Sequence, residues 1–326
     1  MMWHLVCDLK ETGKYNKMDN CTMIREFHLM GISGSREFQV MQGVFFLVIY
    51  LGSLIGNLVT IAVIMTSHCL HSPMYFFISN LSLIDLCSIS VIVPKSIINS
   101  FMDSNSISLK ECTAQVFLYV FFAFTELALL VVMSYDRYVA ICHPLHYGLV
   151  ITPSLCIQAV GGSWASGLAY SAVHTVTMFR LPFTKSNEIH QYFCEVSQIL
   201  RISSSDVQFS ESVVLVLSVC VIIVCFAFLL MTYVNIFSTV LKIHLLEARH
   251  KAMSTCVPQL AILLLFLISG LVASLDPIAN KGSLKNLLTA MFYTMVPPFI
   301  NPIIYSLRNT EINFAIGDMF KRCFQL

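Results

Sequence analysis

The sequence predicts an all-α membrane protein, a seven-transmembrane helix bundle followed by a short C-terminal surface helix. Three observations carry this. Hydrophobic residues make up 57% of the 326 residues and charged residues 11%, with a mean hydropathy of +0.77, as suits a chain dissolved mostly in lipid. Apolar segments run over Val40–Met65, Met74–Ile98, Thr113–Tyr135, Leu155–Phe179, Val213–Leu241, Met253–Leu275 and Leu287–Leu307. Each reaches the roughly 20 residues that a helical crossing of a bilayer core requires. None alternates with period two, which excludes a membrane β-barrel.

Other classes fall away on composition. A net charge of +1 implies no nucleic-acid partner. The 12 cysteines show no paired CxxC spacing, so no zinc or other metal site is expected. No HExxH or GxSxG motif is present, and an enzyme is not expected. The start, MMWHLVCDLKETGK, has too short an apolar run for a signal peptide. The first span is therefore expected to act as its own insertion signal.

Taken in order, the elements carry their own signals. The N-terminal segment is polar and holds the sequon Asn20-Cys21-Thr22, which marks a lumenal surface and a glycan. Asn80-Leu81-Ser82 also matches but lies inside the second span. Asp85 and Glu126 are acids within apolar spans. An acid at mid-membrane costs roughly 2.5–3.5 kcal/mol on insertion scales, so its default reading is functional.

The third span ends in MSYDRYVAICHPLHY, Met133–Tyr147. Asp136 and Arg137 place opposite charges where the apolar run stops. Helix neighbours do not face each other, so Arg137 is free to reach a different partner from the one Asp136 finds; at rest it is expected to pair locally, with Asp136 or a loop acceptor. Pro144 ends the helix soon after. In the fourth span Trp164 reads as a packing residue, and Gly161, Gly162 and Ser163 beside it permit close helix approach. The segment Arg180–Ser210 is long for a connection and reads as functional. In the last span Asn301-Pro302 followed by Tyr305 makes a weakened helical turn. Arg308–Phe320 then reads as a helix with Ile312, Ala315, Ile316, Met319 and Phe320 on one face, lying on the membrane surface. Cys323 beyond it is a palmitoylation candidate or an inert thiol.

Several motifs together resemble the odorant receptors, a branch of the rhodopsin-like G-protein-coupled receptors. They are Gly56-Asn57, LHSPMYFFISNLSLIDLC at Leu70–Cys87, Pro94-Lys95, MSYDRYVAIC, the stretch His190–Glu195, KAMSTC at Lys251–Cys256 and PPFINPIIYSLRN at Pro297–Asn309. The likeness runs from Met18 onward. It implies a disulfide between Cys112 and Cys194 and a switch in which Tyr233 and Tyr305 swing toward Arg137. Asp136, Tyr138, Asn301 and Pro302 belong to the same coupling region. It also implies that Asp85 and Glu126 face the core near Asn57 and Asn301. Two carboxylates there can share a sodium ion or a proton, or form a neutral polar knot.

The sequence departs from the family pattern in places. Thr184 and Ser204 replace a second loop cysteine pair, and Gln191 takes a histidine position with His190 one residue early. Phe266-Leu267-Ile268 replaces Phe-Tyr-Gly, and Gln259 a frequent histidine.

Lys and Arg do not decide the orientation, but Asn20, Cys112 and Cys194 fall on one side and set it. Residues 1–39 are then extracellular, 40–307 form the bundle, and 308–326 make a cytoplasmic helix and tail. Helical phase selects Tyr119, Ala123 and Phe124 for a ligand pocket, faced by Ser218, Ile222, Leu271, Ser274, Met291 and Thr294. That set is apolar with a few hydroxyls and no charge, suited to a small, mostly hydrophobic ligand. The resemblance implies a receptor for a volatile odorant at the plasma membrane, acting through a stimulatory olfactory-type G protein and cyclic AMP. The same build could sense a non-odorant metabolite elsewhere. A seven-helix transporter lacks the expected repeat between halves, and a retinal pump would need a lysine between Leu287 and Leu307, where none stands.

Overall fold

The computed structural model describes residues 25–29, 35–67, 70–102, 104–180, 183, 186–243, 246–275, 284–308 and 310–324. Its long helices are α1 (Arg36–Thr66), α2 (Pro73–Met102) and α3 (Leu109–Cys142), then α5 (Pro153–Phe179), α7 (Ser205–Lys242), α8 (Leu246–Leu275) and α9 (Leu284–Arg308). Between them lie the short α4 (Tyr147–Val150) and α6 (Val196–Ile202), and α10 (Thr310–Phe324) follows. The long helices coincide with the apolar segments, extended at their ends by as much as about two turns. In lipid a helix satisfies its backbone hydrogen bonds internally, so an apolar run alone is enough to specify it.

By length and composition, 5 helices among the described residues can cross a membrane, and up to 6 if Pro144–Val150 and Pro153–Phe179, bent by 69°, form one span. α9 is the remaining member of the bundle. It is 25 residues long, holds Pro297, Pro298 and Pro302, and packs on α8, α1 and α2.

Helix ends follow local chemistry. Ser108 caps α3 in a reciprocal box: its side chain accepts from Glu111 N, and the Glu111 carboxylate accepts from Ser108 N. Thr152 accepts from Leu155 N, with Pro153 at the first position of α5. α3 stops at His143, before Pro144.

A small sheet, absent from the sequence expectation, closes one end of the bundle. Strands β1 (Glu26–Leu29), β2 (Ser106–Ser108) and β3 (Glu188–Ile189) lie in the order β2-β1-β3. β1 pairs antiparallel with β2, setting Phe27 opposite Ile107, and parallel with β3, setting Leu29 opposite Ile189. Phe27, Leu29, Ile107 and Ile189 bury together with Phe183, Cys112 and Cys194. The segment before α1 is thus fastened to both loops at this end.

Candidate functional site

At the sheet end, the loop after β3 folds into the mouth of the bundle. Cys112 and Cys194 are joined, with their Cα atoms 5.5 Å apart. Cys194 N donates to Gln115 Oε1 at 2.8 Å, and Gln115 Nε2 donates to Val91 O at 3.2 Å. The disulfide and this relay hold Tyr192 and Phe193 buried among α1, α3 and α9. The Phe193 ring lies 6.0 Å from that of Tyr119 and 6.4 Å, edge-on, from that of Tyr293. The Tyr192 ring lies 5.2 Å from that of Phe46. Thr294 Oγ1 donates to Ala290 O at 2.8 Å, so the Tyr192 hydroxyl, 2.5 Å away, donates to Thr294. Burial pushes the Tyr192 phenol above its ordinary pKa, which keeps it a neutral donor.

Of the residues expected at a pocket, Tyr119, Met291 and Thr294 meet in this cluster. Met291 also lines an apolar cleft of about 400 Å³ between α1 and α9. Tyr192, Phe193 and Tyr293 are members that the helical-phase argument missed. The aromatic pair directly before Cys194 was the available signal.

A second group lies between α3, α5 and α7. The Phe124 ring stacks on Tyr170 at 4.4 Å, and the Tyr170 hydroxyl is 2.5 Å from Ser218 Oγ. His174 Nε2 is 2.8 Å from the same hydroxyl, and His174 Nδ1 contacts Glu211 Oε1. Phe124 and Ser218 were expected to face each other, and Tyr170 brings them together. Ala123 sits half-buried beside Phe124. Ile222 does not join them: it is 46% exposed although four residues on from Ser218 returns to nearly the same helix face, because the α7 stretch Val219–Val224 is exposed throughout. The side chains of Leu271 and Ser274, like Asn20, Thr184 and Cys323, lie outside the described residues.

Of the small residues expected to permit close helix approach, Ser163 lies on the buried face of α5, while Gly161 and Gly162 are exposed. A Cβ at Gly161 or Gly162 would meet nothing within 4 Å. At Gly167, two turns along α5, it would collide with Thr125 Oγ1 and sit 3.0 Å from Phe121 O. Ser163, Gly167 and Ser171 are the small residues on the buried face, and the closest approach falls at Gly167. Trp164 packs on Phe121 at 5.5 Å and Phe122 at 6.3 Å.

Deeper in the bundle, Asp85 and Asn57 are fully buried, Asn301 is 1% exposed and Glu126 6%. Asn301 Nδ2 donates to Asp85 Oδ2 at 3.0 Å. Asn57 Nδ2 donates to Ser53 O and Pro298 O at 3.0 and 2.9 Å, tying α1 to α9. Asp85 Oδ1, Glu126 Oε1 and Asn57 Oδ1 are buried without a hydrogen-bond partner. Among the described residues no three His, Cys, Asp or Glu side chains group as a metal site.

At the opposite end Arg137 folds back on its neighbour. Its Nε donates to Asp136 Oδ2 at 2.9 Å, and Nη2 pairs with the same oxygen. Of the two resting partners expected for Arg137, Asp136 or a loop acceptor, it takes Asp136, because the long arginine stem curls across one residue although the two Cβ atoms diverge. Tyr147, unforeseen, donates to Asp136 Oδ1 at 2.8 Å. Tyr138 OH lies 3.2 Å from His143 Nε2. Tyr233 and Tyr305 are buried with hydroxyls that have no hydrogen-bond partner. Pro302 packs so closely on Gly56 that a Cβ there would sit 3.0 Å from its ring. α10 buries Ile312 against the bundle, and Glu311 accepts from Tyr75 OH at 2.6 Å.

A bundle of this order, with an arginine held at one end and a disulfide-anchored loop over the other, is the rhodopsin-like fold. Squid rhodopsin superposes with a TM-score of 0.68 at 18% identity, over 89% of this chain and 87% of that one. A family profile described as "Olfactory receptor" matches residues 46–323. Human "Olfactory receptor 14I1" is 50% identical over 95% of this chain and 99% of its own length. Human "Olfactory receptor 14A16" is 45% identical over 93% and 98%. The chain belongs to the olfactory receptor family. It is a multi-pass membrane protein and a G-protein-coupled odorant receptor rather than an enzyme, as its motifs imply.

Proposed function

We propose that this receptor takes a small, mostly hydrophobic volatile ligand between the sheet-end halves of α3, α5, α7, α8 and α9, and raises cyclic AMP through a stimulatory olfactory-type G protein. The observation that supports this best is the make-up of the cluster under the anchored loop and of the group beside it between α3, α5 and α7. Tyr119, Tyr192, Phe193 and Tyr293 supply aromatic walls, while Thr294 and Ser218 supply hydroxyls. Such a lining binds apolar molecules and orients them with one or two hydrogen bonds. Phe124, Ala123 and Met291 belong to the same wall on this reading, with Leu271, Ser274 and Ile222 as outer members.

The sheet end is extracellular, with residues 1–39 outside, 40–307 in the bilayer and 308–326 in the cytoplasm. Asp136, Arg137, Tyr138, Tyr233, Asn301, Pro302 and Tyr305 form the coupling region. The ligand only shifts populations between two states that already exist. The partner-free oxygens of Asp85, Glu126 and Asn57 have the hard, all-oxygen chemistry that suits a sodium ion or a shared proton. The deciding experiment is a volatile-compound screen in cells that display the receptor and report cyclic AMP. A concentration-dependent rise absent from mock-transfected cells is expected. Agonists that signal only through another G-protein class would refute the coupling.

A further inference from the structure

The buried series Glu211–His174–Tyr170–Ser218 has no role above beyond its walls, and its hydrogen-bond directions can be solved one after another. Ser218 Oγ lies 2.7 Å from Val214 O and donates its only hydrogen there. Toward Tyr170 it is therefore an acceptor, and the phenol donates. With the phenol hydrogen spent, His174 Nε2 carries a hydrogen and donates it to the Tyr170 oxygen. Nδ1 of the same ring meets Glu211 Oε1. One proton between that nitrogen and that oxygen makes the pair neutral overall, whichever atom holds it. Glu211 is fully buried and His174 is 3% exposed.

Every hydrogen in the series is committed along it. What remains is accepting capacity. Glu211 Oε2 is buried with no hydrogen-bond partner, and the Tyr170 and Ser218 oxygens keep a free lone pair each. Phe124, stacked on Tyr170 with 24° between the rings, adds an aromatic wall from α3.

We propose that this series is an accepting subsite of the ligand pocket, selecting apolar ligands that carry an O–H or N–H donor over ethers and ketones of the same shape. The proposal rests on the reading that the ligand binds between α3, α5 and α7. Alcohols and phenols are the fitting class. An acceptor-only ligand would set lone pairs against lone pairs, and a site built from buried polar groups rejects such analogues far more strongly than an apolar pocket does.

The test uses matched pairs, straight-chain alcohols with their methyl ethers and phenols with their anisoles, on cells displaying the full-length receptor with a cyclic AMP readout. The donor member should be the more potent by on the order of tenfold, one hydrogen bond's worth. Tyr170→Phe frees the His174 N–H, and Ser218→Ala frees the Tyr170 O–H. Either variant should move the preference toward the ether, and the second serves if the first fails to reach the surface. A merely structural role would change the response to both members alike and leave their ratio fixed. Equal potency in the wild type, or an unchanged ratio in both variants at normal surface staining, overturns the subsite and leaves the receptor reading intact. Silence to every compound at normal staining also overturns it. Basal cyclic AMP above that of mock cells then decides the receptor reading separately.

Discussion

Arg137 and Asp136, adjacent in sequence, hold each other: the guanidinium Nε lies 2.9 Å from Asp136 Oδ2, and Tyr147 closes the other carboxylate oxygen at 2.8 Å. Both charged side chains are nearly buried, at 11% and 2% exposure. We propose that the hydroxyls of Tyr233 and Tyr305, which have no hydrogen-bond partner, are the acceptors that Arg137 reaches on release.

Arg137→Ala is therefore expected to reach the surface at close to wild-type levels and to lose the cyclic AMP response. Arg137 lies about 27 Å along α3 from Tyr119 at 1.5 Å per residue, too far to touch a ligand under the loop. Coupling has to pass through an element with two arrangements. Wild-type signalling amplitude at normal surface staining would show the switch assignment to be wrong.

Asp136→Asn should raise basal signalling, since it weakens the pair that holds Arg137. Tyr147→Phe removes only one bond to Asp136 and should raise it less. Basal cyclic AMP normalised to surface receptor checks both. A basal level equal to wild type in Asp136→Asn would count against the pair as a restraint.

Cys112→Ser should sharply reduce surface expression. The bond closes a loop of 82 residues and positions Tyr192 and Phe193 through the Cys194–Gln115 contact. Loss of a native disulfide costs about 2–5 kcal/mol in small secreted domains. Mass spectrometry of surface-displayed receptor should find no free thiol at either position, and finding both free would refute the bond.

Asn20→Gln should shift the receptor to faster gel mobility, by the mass of one glycan. An unshifted band in a glycosylation-competent cell would contradict the placement of residues 1–39 outside.

Gly167→Leu should destabilise the bundle by about 1–3 kcal/mol or more through overpacking, whereas Gly161→Leu should be nearly neutral. Thermal unfolding of the detergent-purified variants separates them, and equal midpoints would remove Gly167 as the point of closest α3–α5 approach.

What the sequence by itself determined is what local chemistry can specify. Each span closes its own backbone hydrogen bonds, so Val40–Met65 and its counterparts were readable from apolar length alone. The motifs from Leu70 to Asn309 were contiguous strings and named the family, and the acids within spans stood out because lipid makes them costly. The tertiary structure decided what depends on residues far apart in the chain. β1 is 4 residues long, too short for alternation to register, and exists because two loops meet it. Tyr192 is buried among the helices with its loop tied to α3 by a disulfide. Ile222 is left exposed and Gly167 rather than Gly161 meets Thr125, because which stretch of a helix is covered is set by its neighbours and not by the helix. His174 and Glu211 lie on different helices with no shared motif, and only packing α5 against α7 makes them a pair.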